Sequence, residues 1–77
     1  MRLHIEEALA YAALKGKKIL KKDLYPKLYP DANEQTAQVN FSNLLSGRTE
    51  RIKIEWVVII CQECGVSPNF LFGYGNK

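Results

Sequence analysis

Between residues 35 and 46 the chain sets Gln35, Gln38, Asn40, Ser42, Asn43 and Ser46 among apolar residues. Side-chain amides and hydroxyls both donate and accept hydrogen bonds, which is the chemistry needed to read the edges of bases. In a DNA major groove, asparagine or glutamine pairs bidentately with adenine, and an apolar group such as Val39 meets a thymine methyl. The competing reading is a merely solvated polar face. Exposed helix faces kept for solubility usually carry lysine and glutamate, however, and this one carries neutral amides. Its flanks shift the balance further. Arg48, Arg51 and Lys53 follow the stretch, and Lys17, Lys18, Lys21 and Lys22 stand upstream of it. Phosphate contacts orient a protein on a duplex while base contacts supply specificity, so neutral amides with basic margins match that division of labour.

Other chemistry is poorly supported. Cys61 and Cys64 form a Cys-x-x-Cys pair, but a structural zinc site needs four ligands and the single histidine, His4, is remote in sequence. The pair also lacks the strand-to-helix context of a redox motif, and two cysteines three apart on a buried helix read as small core residues. No serine or cysteine has a base beside it, no pair of carboxylates stands out, and no glycine-rich phosphate loop occurs. The residues therefore predict no catalytic site, no metal and no cofactor. The chain has neither the dense basic stripe nor the exposed aromatic platform used for RNA or nonspecific single-strand binding.

The elements that must position these residues follow from local patterns. Leu3 to Lys15 is rich in alanine and leucine and stops at Gly16, which predicts a first helix. "LYPKLYP" spaces Leu24 and Leu28 by one helical turn, predicting a short helix from Leu24 to Tyr29 with Asp23 as N-cap and Pro26 in its first turn. Asp31 and Glu34 have the spacing of a capping box, so a third helix is expected from Ala32 to Ser46 before Gly47. On it Ala37, Phe41, Leu44 and Leu45 share a core side, opposite Gln35, Val39, Ser42, Asn43 and Ser46. "RIKIEWVVIIC" alternates as a strand would. No second strand exists to pair with it, so a buried helix from Ile54 to Cys64 ended by Gly65 is the consistent reading. "SPNFLFG" predicts a final short helix capped by Ser67, with Pro68 at its first position and Gly73 as a stop. Phe41, Trp56, Phe70 and Phe72 are expected in the core. Tyr25 and Tyr29 stay open between packing and reaching a phosphate.

The length of 77 residues allows one small domain, residues 1–77, with one core. A hydrophobic share of 47% with 25% charged residues excludes a disordered tail, and the net charge of +3 admits an anionic partner. The start "MRLHIEEALAYAALKGKK" carries Glu6 and Glu7 inside its apolar stretch, unlike a signal peptide, and no apolar run approaches a membrane span. With so few cysteines in so small a chain, the expected location is the cytoplasm.

In order, the first helix, the short second helix after its Lys-Lys-Asp-Leu entry, the polar helix closing on "NLLSGRT", the apolar fourth helix and the terminal "GVSPNFLFG" resemble the Cro/cI-type (lambda repressor-like, XRE) helix-turn-helix family over nearly the whole chain. The resemblance implies an all-α, compact five-helix DNA-binding domain, acting as a phage-type or prokaryotic transcriptional regulator on double-stranded DNA. Aligned on Gly47, it puts the base-contacting positions on Gln38, Val39 and Asn43, with Asn40 and Ser42 beside them. The wheel adds Gln35. It puts phosphate contacts on Ser46, Arg48, Arg51 and Lys53, and on Lys21 and Lys22 at the start of the second helix. The family often binds paired half-sites as a homodimer; for a dimer of this chain the expected surface is the apolar fourth and fifth helices with the "GYGNK" tail. One departure is the long "LYPDANEQT" where the family has a short turn. This stretch either lengthens the third helix at its start or forms a loop. The alternative function is the same fold kept as a protein-interaction module, such as an antirepressor or antitoxin-like subunit.

Overall fold

The computed structural model of the chain describes residues 2–73, which form five helices with no strand among them. The last four residues of the "GYGNK" tail, expected in a dimer contact, lie outside the described residues. The first helix, α1, runs over Ile5–Leu14 and buries Ile5, Ala8 and Ala12 at helical spacing, with Glu6 and Glu7 in the first turn facing the positive end of the helix dipole. It starts later than expected. Leu3 is buried ahead of the helix, and the His4 N–H donates to the Leu71 carbonyl at 2.8 Å, so this backbone is committed to the last helix.

The second helix, α2, covers Lys21–Leu28 and starts earlier than expected. Its N-cap is Leu20, which supplies no side-chain cap. The Leu20 carbonyl instead accepts from the N–H groups of Asp23 and Leu24 at 3.0 and 3.1 Å. Asp23 is therefore in the first turn, where its charge suits the dipole, and not the N-cap. Pro26 falls inside the helix at an exposed position, where water can reach the carbonyl that its missing N–H leaves unbonded.

Helix α3, Glu34–Ser46, is capped by Asn33, whose Oδ1 accepts from the Thr36 N–H at 2.8 Å. The Asp31 capping box does not form. Asn33 stands in extended backbone directly before the first turn, the geometry in which an amide oxygen reaches the third N–H. The long connection thus becomes a loop of residues 29–33, closed by the Ala32 N–H donating to the Tyr29 carbonyl at 3.2 Å.

Helix α4 spans Ile54–Cys64 and buries Trp56, Val57, Ile60 and Cys64, a helical set despite the alternating sequence. Helix α5, Pro68–Leu71, is capped by the Ser67 hydroxyl, which accepts from the Phe70 N–H at 3.3 Å. Helix α4 lies at the centre, packing on α1, α2 and α5, while α3 packs chiefly on α2. Phe41 and Trp56 are buried; Phe70 and Phe72 pack half-buried against the same core.

One ion pair joins α2 to α4: Lys27 Nζ to Glu63 Oε1 at 2.8 Å. The hydrogen bond from Lys27 holds the Glu63 carboxyl below its ordinary value, with help from the charges of Lys27 and Lys17. A depressed carboxyl stabilises the fold above its unfolded pKa and stops doing so as pH falls through the folded value. With half the Lys27 side chain in water, the pair contributes about 0.5 kcal/mol. Lys27→Met is expected to lower the melting temperature by about 2–4 °C at neutral pH. The gap between variant and parent should close as pH falls through the lowered Glu63 value and its carboxyl takes up a proton, and a gap that persists once the carboxyls are protonated would mean that the pair does not stabilise the fold.

Candidate functional site

Helix α3 turns Ala37, Phe41 and Leu44 into the core, where the Phe41 ring meets Tyr25 of α2 at 6.1 Å between centroids. Opposite that side, Gln35, Val39, Ser42 and Ser46 are all exposed. At about 100° per residue they fall within an arc of about 60°. Asn43 and Thr36 border this arc on one edge and Gln38 on the other. Val39, 55% exposed, lies at the Asn43 side of the arc, an apolar group with Gln35, Thr36, Ser42 and Asn43 one turn to either side.

Asn40 is placed differently. It lies about a third of a turn round from Val39 toward the core, is half-buried, and its carbonyl accepts the Tyr29 hydroxyl at 3.3 Å. With Tyr29, Asn43, Thr49, Lys53 and Trp56 it lines an open cleft of about 330 Å³ beside the helix. Tyr25 is likewise turned inward, its hydroxyl donating to Glu34 Oε1 at 3.4 Å. Burial pushes both phenols up, in Tyr25 with the Glu34 charge adding to it, and both hydroxyls are engaged within the fold, Tyr25 on the Glu34 carboxylate and Tyr29 on the Asn40 carbonyl.

The end of α3 is set by Gly47, in left-handed backbone at φ 83°. The Gly47 N–H donates to the Leu44 carbonyl at 3.3 Å and the Arg48 N–H to the Asn43 carbonyl at 2.9 Å, the paired closure that lets a glycine end a helix. The Ser46 hydroxyl donates to the same Asn43 carbonyl at 3.2 Å. These bonds fix where Arg48 leaves the helix. Arg48 and Arg51 are exposed and enter no ion pair among the described residues. Lys53, the N-cap of α4, holds its ammonium 5.7 Å from the centre of the Trp56 ring.

At the start of α2, Lys21 is bound to Glu6 at 2.7 Å, which compensates its charge and leaves Lys22 as the cation without an ion pair there. Sequence reasoning missed two neighbours of the site. Thr36 lies one edge over from Gln35 and was legible from the wheel alone. Arg2 packs against Gly47, whose Cβ, if it had one, would stand 3.1 Å from the Arg2 Cβ; nothing in the sequence links residues so far apart.

Burial pushes the thiols of Cys61 and Cys64 up, Cys64 to about 11. Both are therefore protonated and poorly nucleophilic near neutral pH. Among the described residues no three His, Cys, Asp or Glu side chains are gathered as metal ligands, and no helix is long and apolar enough to cross a membrane. Comparison with models of known families, with curated proteins and with solved structures finds no match to the chain.

Proposed function

We propose that the chain is a sequence-specific double-stranded DNA-binding protein of the Cro/cI type, a phage-type or prokaryotic transcriptional regulator in which α2 and α3 act as the helix-turn-helix. The observation that carries this reading is the exposed stripe of neutral hydrogen-bonding groups on α3, bracketed by cations with no carboxylate partner. A helix about 10–12 Å across fits a major groove about 12 Å wide. Gln38 and Asn43, at the two edges of the stripe, pair with bases, Val39 meets a thymine methyl, and Gln35 and Ser42 make the shorter contacts. Asn40 serves from the cleft side. Lys22, Arg48, Arg51 and Lys53 take phosphates, with Lys21 and Ser46 beside them.

The test is selection of bound duplexes from a random pool, with the Gln38→Ala, Asn43→Ala double variant in parallel. Each bidentate contact contributes about 1–3 kcal/mol, so the double variant should bind the selected site at least about 30-fold more weakly. Arg48→Ala or Arg51→Ala should instead weaken all sequences alike and reduce the salt slope by about 1. A consensus bound equally well by the double variant would remove the base-reading assignment.

A second reading draws on a separate feature, which a DNA reader could also use. Ile54 and Val58, one helical turn apart on α4, are 77% and 45% exposed. On a protein-interaction module such as an antirepressor or antitoxin-like subunit these would dock a partner; on a DNA reader they would join two copies across paired half-sites. A monomer mass with a single half-site footprint rules out the dimer. No enrichment of any duplex at moderate salt favours the interaction module.

A further inference from the structure

The connector from α1 to α2 and the first turn of α2 hold two lysines that no carboxylate pairs among the described residues. Residues 15 to 22 contain five lysines and no acid, and all five are exposed. Lys15 lies 4.9 Å from the Tyr11 ring centre, Lys21 is bound to Glu6, and Lys17 is close enough to Glu63 to lower its pKa. Lys18 and Lys22 enter no ion pair among the described residues.

The same connector is bounded by exposed leucines. Leu14, the last residue of α1, is 88% exposed and points away from the buried Ile5, Ala8 and Ala12; Leu20, at the start of α2, is 39% exposed. The chain between them is not a loose arm, because it turns at Gly16 and the Lys17 N–H returns to the Ala12 carbonyl at 2.9 Å. Single exposed apolar residues are ordinary, and the other exposed ones here have neutral or mixed surroundings. Val39 stands among amides, and Ile54 stands between Lys53 and Glu55. Leu14 and Leu20 are followed directly by Lys15 and Lys21, and the acids at the margin are Asp23 and Glu6, the latter bound to Lys21.

We propose that the α1–α2 connector docks an acidic segment of another protein that also carries leucine or phenylalanine. Its carboxylates meet Lys18 and Lys22, and its apolar side chains cover Leu14 and Leu20. Complementary charge directs such an encounter and apolar contact holds it. A lipid surface is a poorer match, because interfacial binding uses the continuous apolar face of an amphipathic helix, and these leucines sit at the two ends of a non-helical connector. This inference does not depend on DNA reading, although a docked segment would hold Lys22 away from a phosphate.

The experiment is selection of displayed random peptides of about 15 residues on the whole chain, without DNA. Leu14→Ser, Leu20→Ser and Lys18→Glu, Lys22→Glu double variants are run beside it, their folding checked by circular dichroism. The expected result is a family of peptides combining carboxylates with leucine or phenylalanine. Its binding should weaken with salt and fall at least about tenfold in each double variant. Failure to enrich such a family, or a family that binds both folded variants as it binds the parent, would overturn the proposal. Binding of the parent to phosphatidylserine vesicles without any enriched acidic peptide would reassign the connector to a membrane surface.

Discussion

Trp56→Ala should lower the unfolding free energy by about 3–5 kcal/mol, the range for deleting a large buried aromatic side chain. Trp56 is 8% exposed, its indole N–H donates to the Leu28 carbonyl at 3.0 Å, and its ring lies 5.2 Å from that of Tyr29. The one side chain therefore joins central helix α4 to the end of α2 and to the first residue of the loop that leads into α3. Its removal leaves a cavity and a carbonyl without its donor. For a domain of this size total stability is about 4–12 kcal/mol, so the loss takes from about a quarter to the whole of it. Trp56→Phe separates the two causes. It keeps most of the packing and loses the hydrogen bond, so it should cost about 1–3 kcal/mol. Urea unfolding measures both as shifts of the midpoint. Equal and small shifts for the two variants would mean that α4 is not held to α2 through this residue.

The same arrangement explains which parts of the fold could be read in advance. Helix α4 was legible, though not from propensity. Ile52, Ile54, Trp56, Val58 and Ile60 alternate as a strand would, and the helix followed only because a lone strand would leave its backbone unpaired. The start of α2 was not legible, because Leu20 caps through its backbone alone and leaves no polar residue as a mark, whereas Asp23 offers a false one. At α3 the chain holds two N-cap residues, Asp31 and Asn33, and sequence spacing cannot choose between them. The turn that Tyr29 and Ala32 close brings Asn33 to the helix start.

The candidate site divides along a similar line. Val39, Ser42 and Gln35 were placed outward by periodicity, because Ala37, Phe41 and Leu44 fix the opposite side. Asn40 falls toward the core by the same periodicity, and what periodicity could not show is the Tyr29 hydroxyl on its carbonyl. The compensation of Lys21 by Glu6 and the packing of Arg2 on Gly47 arise between distant parts of the chain, where no local pattern carries information.

Gly47 gives the second large effect, and Gly65 is its control. Both end a helix in left-handed backbone, at φ 83° and 69°, so alanine at either position should cost about 1–2 kcal/mol. They differ in what a new methyl meets. At Gly65 no atom lies within 4 Å, whereas at Gly47 the Cβ would stand 3.1 Å from Arg2 Cβ and 3.5 Å from Arg2 Cα. Gly47→Ala must also displace the chain at Arg2, which adds about 1 kcal/mol. Removing the Arg2 Cβ isolates that part. In a double-variant cycle with Arg2→Gly, the extra cost at Gly47 should shrink, giving a coupling of about 1 kcal/mol. Gly65→Ala should show no coupling to the same change. The strain at Gly47 falls on the turn that carries Arg48 away from α3, so amide exchange at Arg48, whose N–H is held by the Asn43 carbonyl, should quicken in Gly47→Ala and not in Gly65→Ala. Equal exchange in both variants would mean that the Arg2 contact does not hold this end of the stripe in place.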